Sequence, residues 1–466
     1  MDSRIRPNTK KVYIFAAAGQ GAIYAMVSSW LLRYYTDVVG LELAFVTGLM
    51  WFAKLLNAVA DPVIGVIVDK THTKHGKMRP YLEYMPFIVS LLSLLLFVDF
   101  GIKPMAWRCI VCGVVYVVWG ISYSVVDVPF WGLPLALSND GTQRDKLFSA
   151  AKLLNSLGGA LPTIIVSLLI SKDLLGLQYG IFWGAVGIIL LSAIPFSMVY
   201  HYSYEIPHTS VKYDKMSAGK QIKLICKNKI LLLVVLCGFL GFGRYLIQAA
   251  YTYAASYVFT SDSSFINNFS QVIGYALIGI GMFPTMIMAP WLVKKFSYKI
   301  IIIASGIGAA VIMTAFYFVE IATGYNFYWA LLFLFLSGLP LGIFNIVVTS
   351  IVGECVDYLE WKEGVRLEGM TSSMSTFIAK VGNAISAGSI PMILMITGYV
   401  ENVEQTASVK NWILILISLL PAASMLLCVV PMLFYDFVGD KRTKALAELE
   451  ERRASENGEG TQEVLS

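Results

Sequence analysis

Residues 55–80 read LLNAVADPVIGVIVDKTHTKHGKMRP. Asp61-Pro62 interrupts a run of Leu, Ala, Val, Ile and Gly, and the run ends in six basic or potentially basic side chains between Lys70 and Arg79. Apolar runs of about 20 residues, the length that crosses a bilayer core, recur along the whole chain. Its 466 residues are 57% hydrophobic and 14% charged, with a mean hydropathy of +0.69. A soluble protein of this length needs more charge to keep its surface wet. The runs are too long and too little alternating for a β-barrel, and the basic start MDSRIRPNTKK lacks the small-residue cleavage pattern of a secretory leader.

Twelve spans are predicted, near 12–36, 42–69, 81–101, 107–134, 147–171, 178–203, 229–260, 266–293, 299–321, 327–357, 370–398 and 411–438. Basic residues cluster at the N-terminus, in 70–79, at Arg144 and Lys146, across 212–229, at 294–299 and after 440. The loops at 37–43, 259–266 and 321–327 carry none. This alternation predicts both termini in the cytoplasm of a multi-pass plasma (inner) membrane protein. It accounts for the net charge of +5 without a nucleic-acid partner. Cys109 and Cys112 form a CxxC on one helix face, but no second pair completes a metal site.

The polar connection at 204–228 divides the spans six and six. The expected fold is an all-α membrane protein of twelve transmembrane helices in two pseudo-symmetric six-helix bundles. Residues 1–203 and 229–438 form the bundles, 204–228 the cytoplasmic central loop, and 439–466 a cytoplasmic tail with a short helix followed by disorder. Paired six-helix halves are the plan of the major facilitator fold, in which substrate binds between the halves and access alternates.

Ionisable groups inside a bilayer cost ~2.5–3.5 kcal/mol each on insertion scales and therefore face partners or water. Lys54, Asp61, Asp127, Lys152, Arg244, Glu354, Asp357 and Lys380 all fall inside spans. Asp61 has Asn57 one turn earlier on the same face, and Pro62 frees a backbone carbonyl. That set can seat a proton or a small cation; alternatively Asp61 pairs with Lys54 or Lys380. In SYSVVDVPFWGLP (122–134), Trp131 lies one turn beyond Asp127 and Ser124 three residues before it. A carboxylate beside an aromatic face is a common sugar cradle; alternatively Trp131 is an interfacial anchor. Arg244, with Gln248 one turn on, either grips an anionic substrate or pairs with Asp127 or Asp61.

YYTDVVGL (34–41), DPVIGVIVDKTHTKHGKMRPY (61–81), DVPFWGLP (127–134), CVDYLEWKEGVRLEG (355–369) and FIAKVGNAI (377–385) together resemble the glycoside–pentoside–hexuronide:cation symporters, over almost the whole chain except the tail. The resemblance implies a cation site whose second acidic member is Asp61, with Asn57 where the first would stand, Ser124 as a hydroxyl ligand and Lys380 close by. It also implies a sugar site of Asp127, Trp131 and Lys152. Where melibiose-transporting members carry Lys-Asp on helix one, this chain has Gln20-Gly21. Arg244, Gln248 and Asn345 complete the candidate substrate set. Asp69, Lys77, Arg79, Asp357 and Arg366 are the expected gating residues, with Asp69 and the bases of its loop pairing with helix ends of the other half.

The expected function is cation-coupled symport of a sugar or glycoside by a monomer, with a uronide as the anionic case. Loss of one carboxylate weakens a sodium cage of hard oxygens, whereas one carboxylate suffices for a proton, so H+ is preferred over Na+. A sugar-binding sensor or uncoupled facilitator is the other reading. No enzyme is expected, and no cofactor besides the coupling ion, because no nucleophile, metal cluster or phosphate loop occurs at workable spacing.

Overall fold

Lipid offers the backbone no hydrogen-bond partner, so an apolar chain must satisfy its peptide groups within each segment, as helices do. The computed structural model describes residues 5–71, 73–138, 140–170, 175–205, 218–259, 264–399 and 403–463. Apart from one isolated bridge between Thr73 and Gly76, the regular structure of these residues is helical. The first six helices are α1 (Pro7–Arg33), continued by a π-helical turn over Tyr34–Val38, α2 (Leu43–Asp69), α3 (Arg79–Leu95), α4 (Met105–Leu137), α5 (Gly141–Leu169) and α6 (Gly176–Tyr202). Then follow α7 (Ala218–Lys227), α8 (Lys229–Leu240), α9 (Gly243–Tyr257), α10 (Ser264–Lys295), α11 (Tyr298–Thr323), α12 (Phe327–Glu363) and α13 (Glu368–Thr397). The chain closes with α14 (Ala407–Ile417), α15 (Leu419–Leu427), α16 (Val429–Leu433) and α17 (Gly439–Glu463).

Eleven stretches of the described residues are long and apolar enough to cross a membrane, with α8–α9 and α14–α16 each forming one broken span. The twelfth is α3. Its 17 residues reach about 25 Å at the α-helical rise. It stops short of the expected 101 because the chain turns at Leu96 and Phe97. Large apolar side chains such as Leu191 (73% exposed) and Met395 (77%) point outward, which suits lipid and not water.

Caps set the helix ends. Asp140, Asn228 and Asn326 each accept a backbone N–H from the first turn that follows, at 2.8, 3.1 and 3.0 Å. Gly324 and Gly364 end α11 and α12 at φ 73° and 65°. The expected central loop contains α7, and the expected short tail helix is a 25-residue one. Glu448 of α17 accepts the Trp361 indole N–H at 2.7 Å, and Ala445 and Leu449 are buried, so packing on α12 sustains a segment whose composition alone suggests disorder.

The chain forms two units: Met1–Gln221 with Leu367–Phe377, and Ile222–Arg366 with Ile378–Ser466. In the N-terminal unit α1 packs on α5 and α6, α2 on α4, and α3 on α4 and α6. In the C-terminal unit α10 and α11 pack on α12, and α9 packs on α10, α14 and α15.

Candidate functional site

The sequence places glycines on both sides of Gln20, and each admits a neighbouring helix. A Cβ on Gly19 would meet the Ser192 carbonyl of α6 at 2.6 Å, and one on Gly21 would collide with the Asn155 carbonyl of α5. A Cβ on Gly158 would collide with the Ala18 carbonyl. Small residues let the backbones touch, and α1 is thereby held between α5 and α6 with Gln20 directed inward, 1% exposed. Its amide nitrogen donates to Asp127 Oδ1 at 2.5 Å, and its oxygen accepts from Asn155 Nδ2 at 2.8 Å.

On α4, Asp127 is 6% exposed. Pro134 removes the N–H that would bond the Phe130 carbonyl, and Tyr13 of α1 supplies it instead at 2.9 Å while stacking on the Phe130 ring. Trp131 packs edge-on against Phe130 and is 8% exposed. It is therefore an interior residue rather than an interfacial anchor. The Lys152 ammonium lies 3.7 Å from the Trp131 ring centroid, a cation–π contact. The ammonium covers one face of the Trp131 ring.

Gly120 of α4 packs against the amide of Asn57 on α2, to which an added Cβ would come within 2.7 Å of Oδ1. Among the described residues the Asn57 Oδ1 atom has no hydrogen-bond partner. Both helices run in the same direction, so one turn onward Asp61 comes level with Ser124, and both are fully buried. Among the described residues Lys54 makes no ion pair, which removes it as the partner of Asp61 there.

Arg244 belongs to the C-terminal unit, where it closes the break between α8 and α9. Its guanidinium donates to the carbonyls of Gly238 (3.3 Å) and Gly241 (2.9 Å) and to the Tyr245 hydroxyl (2.9 Å), and it lies over the rings of Tyr245 and Phe344. Ser424 completes the break, accepting the Gly243 N–H and donating to the Leu240 carbonyl. None of the acceptors of Arg244 in this unit is an anion. Asn345 of α12 and Lys380 of α13 are half-buried in the same unit. The Gln248 side chain lies outside the described residues. Glu354 is a tail anchor, accepting from Tyr435 Oη at 2.7 Å and from Arg442 Nε.

Of the gating residues, Arg366 pairs with Asp357 at 3.0 Å and with Glu360 at 2.7 Å. Asp69 receives the N–H groups of Gly369 (2.8 Å) and Met370 (2.6 Å), the opening turn of α13. The Arg79 guanidinium donates to the Tyr200 carbonyl of α6 and stacks on the Tyr200 ring, so it closes on its own unit. The backbone N–H groups of Lys77, Met78 and Arg79 all go to the Glu205 carboxylate, at 2.7, 2.9 and 2.7 Å. These are orphan donors at the start of α3, and a carboxylate also suits the positive end of the helix dipole. A Cβ on Gly76, at φ +106°, would collide with that carboxylate.

Burial pushes the Glu205 carboxyl above its ordinary value of 4.5, against the pull of the three N–H bonds. An acid whose pKa is raised by folding adds stability that is complete below its unfolded pKa and is lost as pH rises through the raised value. Melting temperatures across mildly acidic pH should therefore fall with rising pH above about 4.5, and Glu205→Gln should flatten that component. Parallel profiles would exclude Glu205 as the titrating group.

Sequence reasoning missed Asn155, Tyr13 and Glu205. Asn155 had a signal, being an amide inside a span and three residues beyond Lys152 on the same helical face.

Residues 12–438 match the family model for "MFS/sugar transport protein". The chain belongs to this family. It falls among the glycoside–pentoside–hexuronide:cation symporters and is a transporter, not an enzyme. The chain is 25% identical to the isoprimeverose transporter of Lactiplantibacillus pentosus, covering 93% of this chain and 89% of the relative. It is 24% identical to the glucuronide carrier protein homolog of Escherichia coli K12, covering 97% of each. The outward-conformation crystal structure of the MFS transporter FucP shares the fold at a TM-score of 0.63 and 13% identity, over 93% of this chain and 99% of that one. The acid-rich constellation of the N-terminal unit is thus the candidate binding site of a sugar transporter.

Proposed function

We propose that this family member performs proton-coupled symport of a glycoside, with both termini and the basic turns in the cytoplasm. The observation that carries the reading is the pairing on α4: Asp127, tied to Gln20, lies one helical turn from Ser124, which is level with Asp61 on α2. A substrate carboxylate on α4 and a cation-seat carboxylate on the neighbouring α2, both beside Ser124, let the occupancy of either influence the other. The seat offers Asp61, the Asn57 amide and the Ser124 hydroxyl. Only one of these is an acid, which favours a proton over sodium. Access to the site alternates between the two membrane faces as the two units rearrange.

The finer substrate reading is a uronide. Arg244 holds a permanent charge against neutral acceptors within its unit, and a planar sugar carboxylate is the ligand class a guanidinium prefers. The test is uptake of methyl β-D-glucuronide and methyl β-D-xyloside into proteoliposomes with simultaneous pH recording, in the wild type and in Arg244→Gln. The expected result is proton entry with sugar, and at least a ~10-fold loss of glucuronide affinity in the variant with xyloside unchanged, since a charge-assisted bond contributes ~1.5–3 kcal/mol. Sugar entry without proton movement would sink the coupling. Equal losses for both sugars would sink the uronide assignment.

A further inference from the structure

We propose that Asn155 is a positioning residue that, through Gln20, fixes Asp127 as a hydrogen-bond acceptor for the sugar hydroxyls. The inference rests on the proposed sugar site and adds a residue to it that the sequence comparison does not supply. Asn155 Nδ2 donates to the Ala17 backbone carbonyl at 2.9 Å and to Gln20 Oε1 at 2.8 Å. A backbone carbonyl can only accept, so the NH2 end of Asn155 is pinned toward α1. The carbonyl end of Gln20 must then turn toward Asn155, and its NH2 end toward Asp127 Oδ1, 2.5 Å away. Each amide has one permitted orientation, and the sequence of choices starts from a group that cannot reverse.

The consequence falls on Asp127. Facing an NH2 donor, it keeps its bond by remaining an acceptor, and a protonated carboxyl on that oxygen would meet a second donor. Other groups bear on the same carboxylate. Tyr13 of α1 donates to the Phe130 carbonyl three residues on, Tyr123 stands one turn before Asp127 on α4, and Lys152 of α5 lies over Trp131 one turn along. None of these fixes the direction of the Gln20 amide. The close approach of α1 and α5 at Gly21 and Gly158 sets the reach of Asn155, because a Cβ at either position would push the helices apart. The relay thus divides labour between the two acids: Asp127 accepts from sugar and Asp61 exchanges the coupling proton.

A sugar-free readout tests the relay directly. The infrared carboxylate stretch of Asp127, isolated by subtracting the spectrum of Asp127→Asn, should shift by the same amount in Asn155→Ala and in Gln20→Leu. The double variant should shift no further. Asn155→Leu keeps the bulk of the side chain but lacks the NH2 donor, and it should behave like Asn155→Ala. If packing were the only role, Asn155→Leu would be silent, and that outcome overturns the proposal. So do additive shifts in the double variant, which would mean that Asn155 does not act through Gln20.

Binding of methyl β-D-glucuronide and methyl β-D-xyloside gives the functional arm. Dissociation constants should rise by about tenfold, the equivalent of ~1.4 kcal/mol, in each single variant and by no more in the double. Asp127→Ala serves as the separate control. If it leaves binding intact, the sugar site is elsewhere, whereas the infrared result still decides the relay.

Discussion

Asp61→Asn is expected to reduce the steady-state accumulation of sugar to unity while leaving counterflow exchange across the membrane. Asp61 is fully buried on α2 and level with Ser124 of α4, the only acid of the proposed cation seat. An amide is nearly isosteric with the carboxyl group, so the fold and the sugar site beside it should survive. It cannot take up and release a proton in the transport cycle, and a carrier without an exchangeable ion has no driving force for concentrative uptake. Exchange of sugar for sugar needs no net ion movement and should persist. The decisive comparison is active uptake against counterflow in the same proteoliposomes. Retained accumulation in Asp61→Asn would remove Asp61 from the coupling mechanism. Loss of both activities with loss of binding would mean a structural role.

Asp69→Ala should act on the conformational equilibrium. Its two oxygens accept the first N–H groups of α13, and it is fully buried. The approach is close: a Cβ on Gly65 would meet Ser373 Oγ at 2.5 Å and the Gly369 carbonyl at 2.9 Å. Each charge-assisted bond contributes ~1.5–3 kcal/mol, so losing both shifts the equilibrium that the contact favours by roughly 10²–10⁴-fold. A contact of that size must break whenever α2 and the start of α13 separate. Asp69→Asn keeps one acceptor oxygen but points an NH2 at the other donor, and it should fall between the two. Hydrogen exchange at the Gly369 and Met370 amides, together with the uptake rate, provides the measurement. Exchange should accelerate in proportion to the lost bonds, and uptake should fall with it. Unchanged protection at both amides would show that the cap is dispensable.

Glu205 and Arg79 show what reading the loop in isolation left out. The six basic positions after Asp69 suggested that the cations would reach out to the other half. In the structure the loop's own backbone N–H groups go to Glu205, just past the end of α6, the Arg79 guanidinium goes to the Tyr200 carbonyl of α6, and Asp69 makes the contact with α13. A basic run raises the expectation of ion pairs, but a tight turn at the start of a helix exposes several N–H donors at once, and a nearby carboxylate satisfies them at lower entropy cost than long flexible side chains.

By itself the sequence determined the helical membrane fold, the family, and the burial of Asp61 and Asp127. Hydropathy, helical period and the cost of a charge in lipid are all readable along one dimension. Partner identity was decided by tertiary structure: Gln20 and Asn155 for Asp127, Lys152 for the face of Trp131, the broken α8–α9 span for Arg244, and the tail for Glu354. A hydrogen bond is won or lost within a fraction of an ångström. The facing helix that supplies the partner is set by glycine contacts distant in sequence, so no stretch of chain carries that information alone.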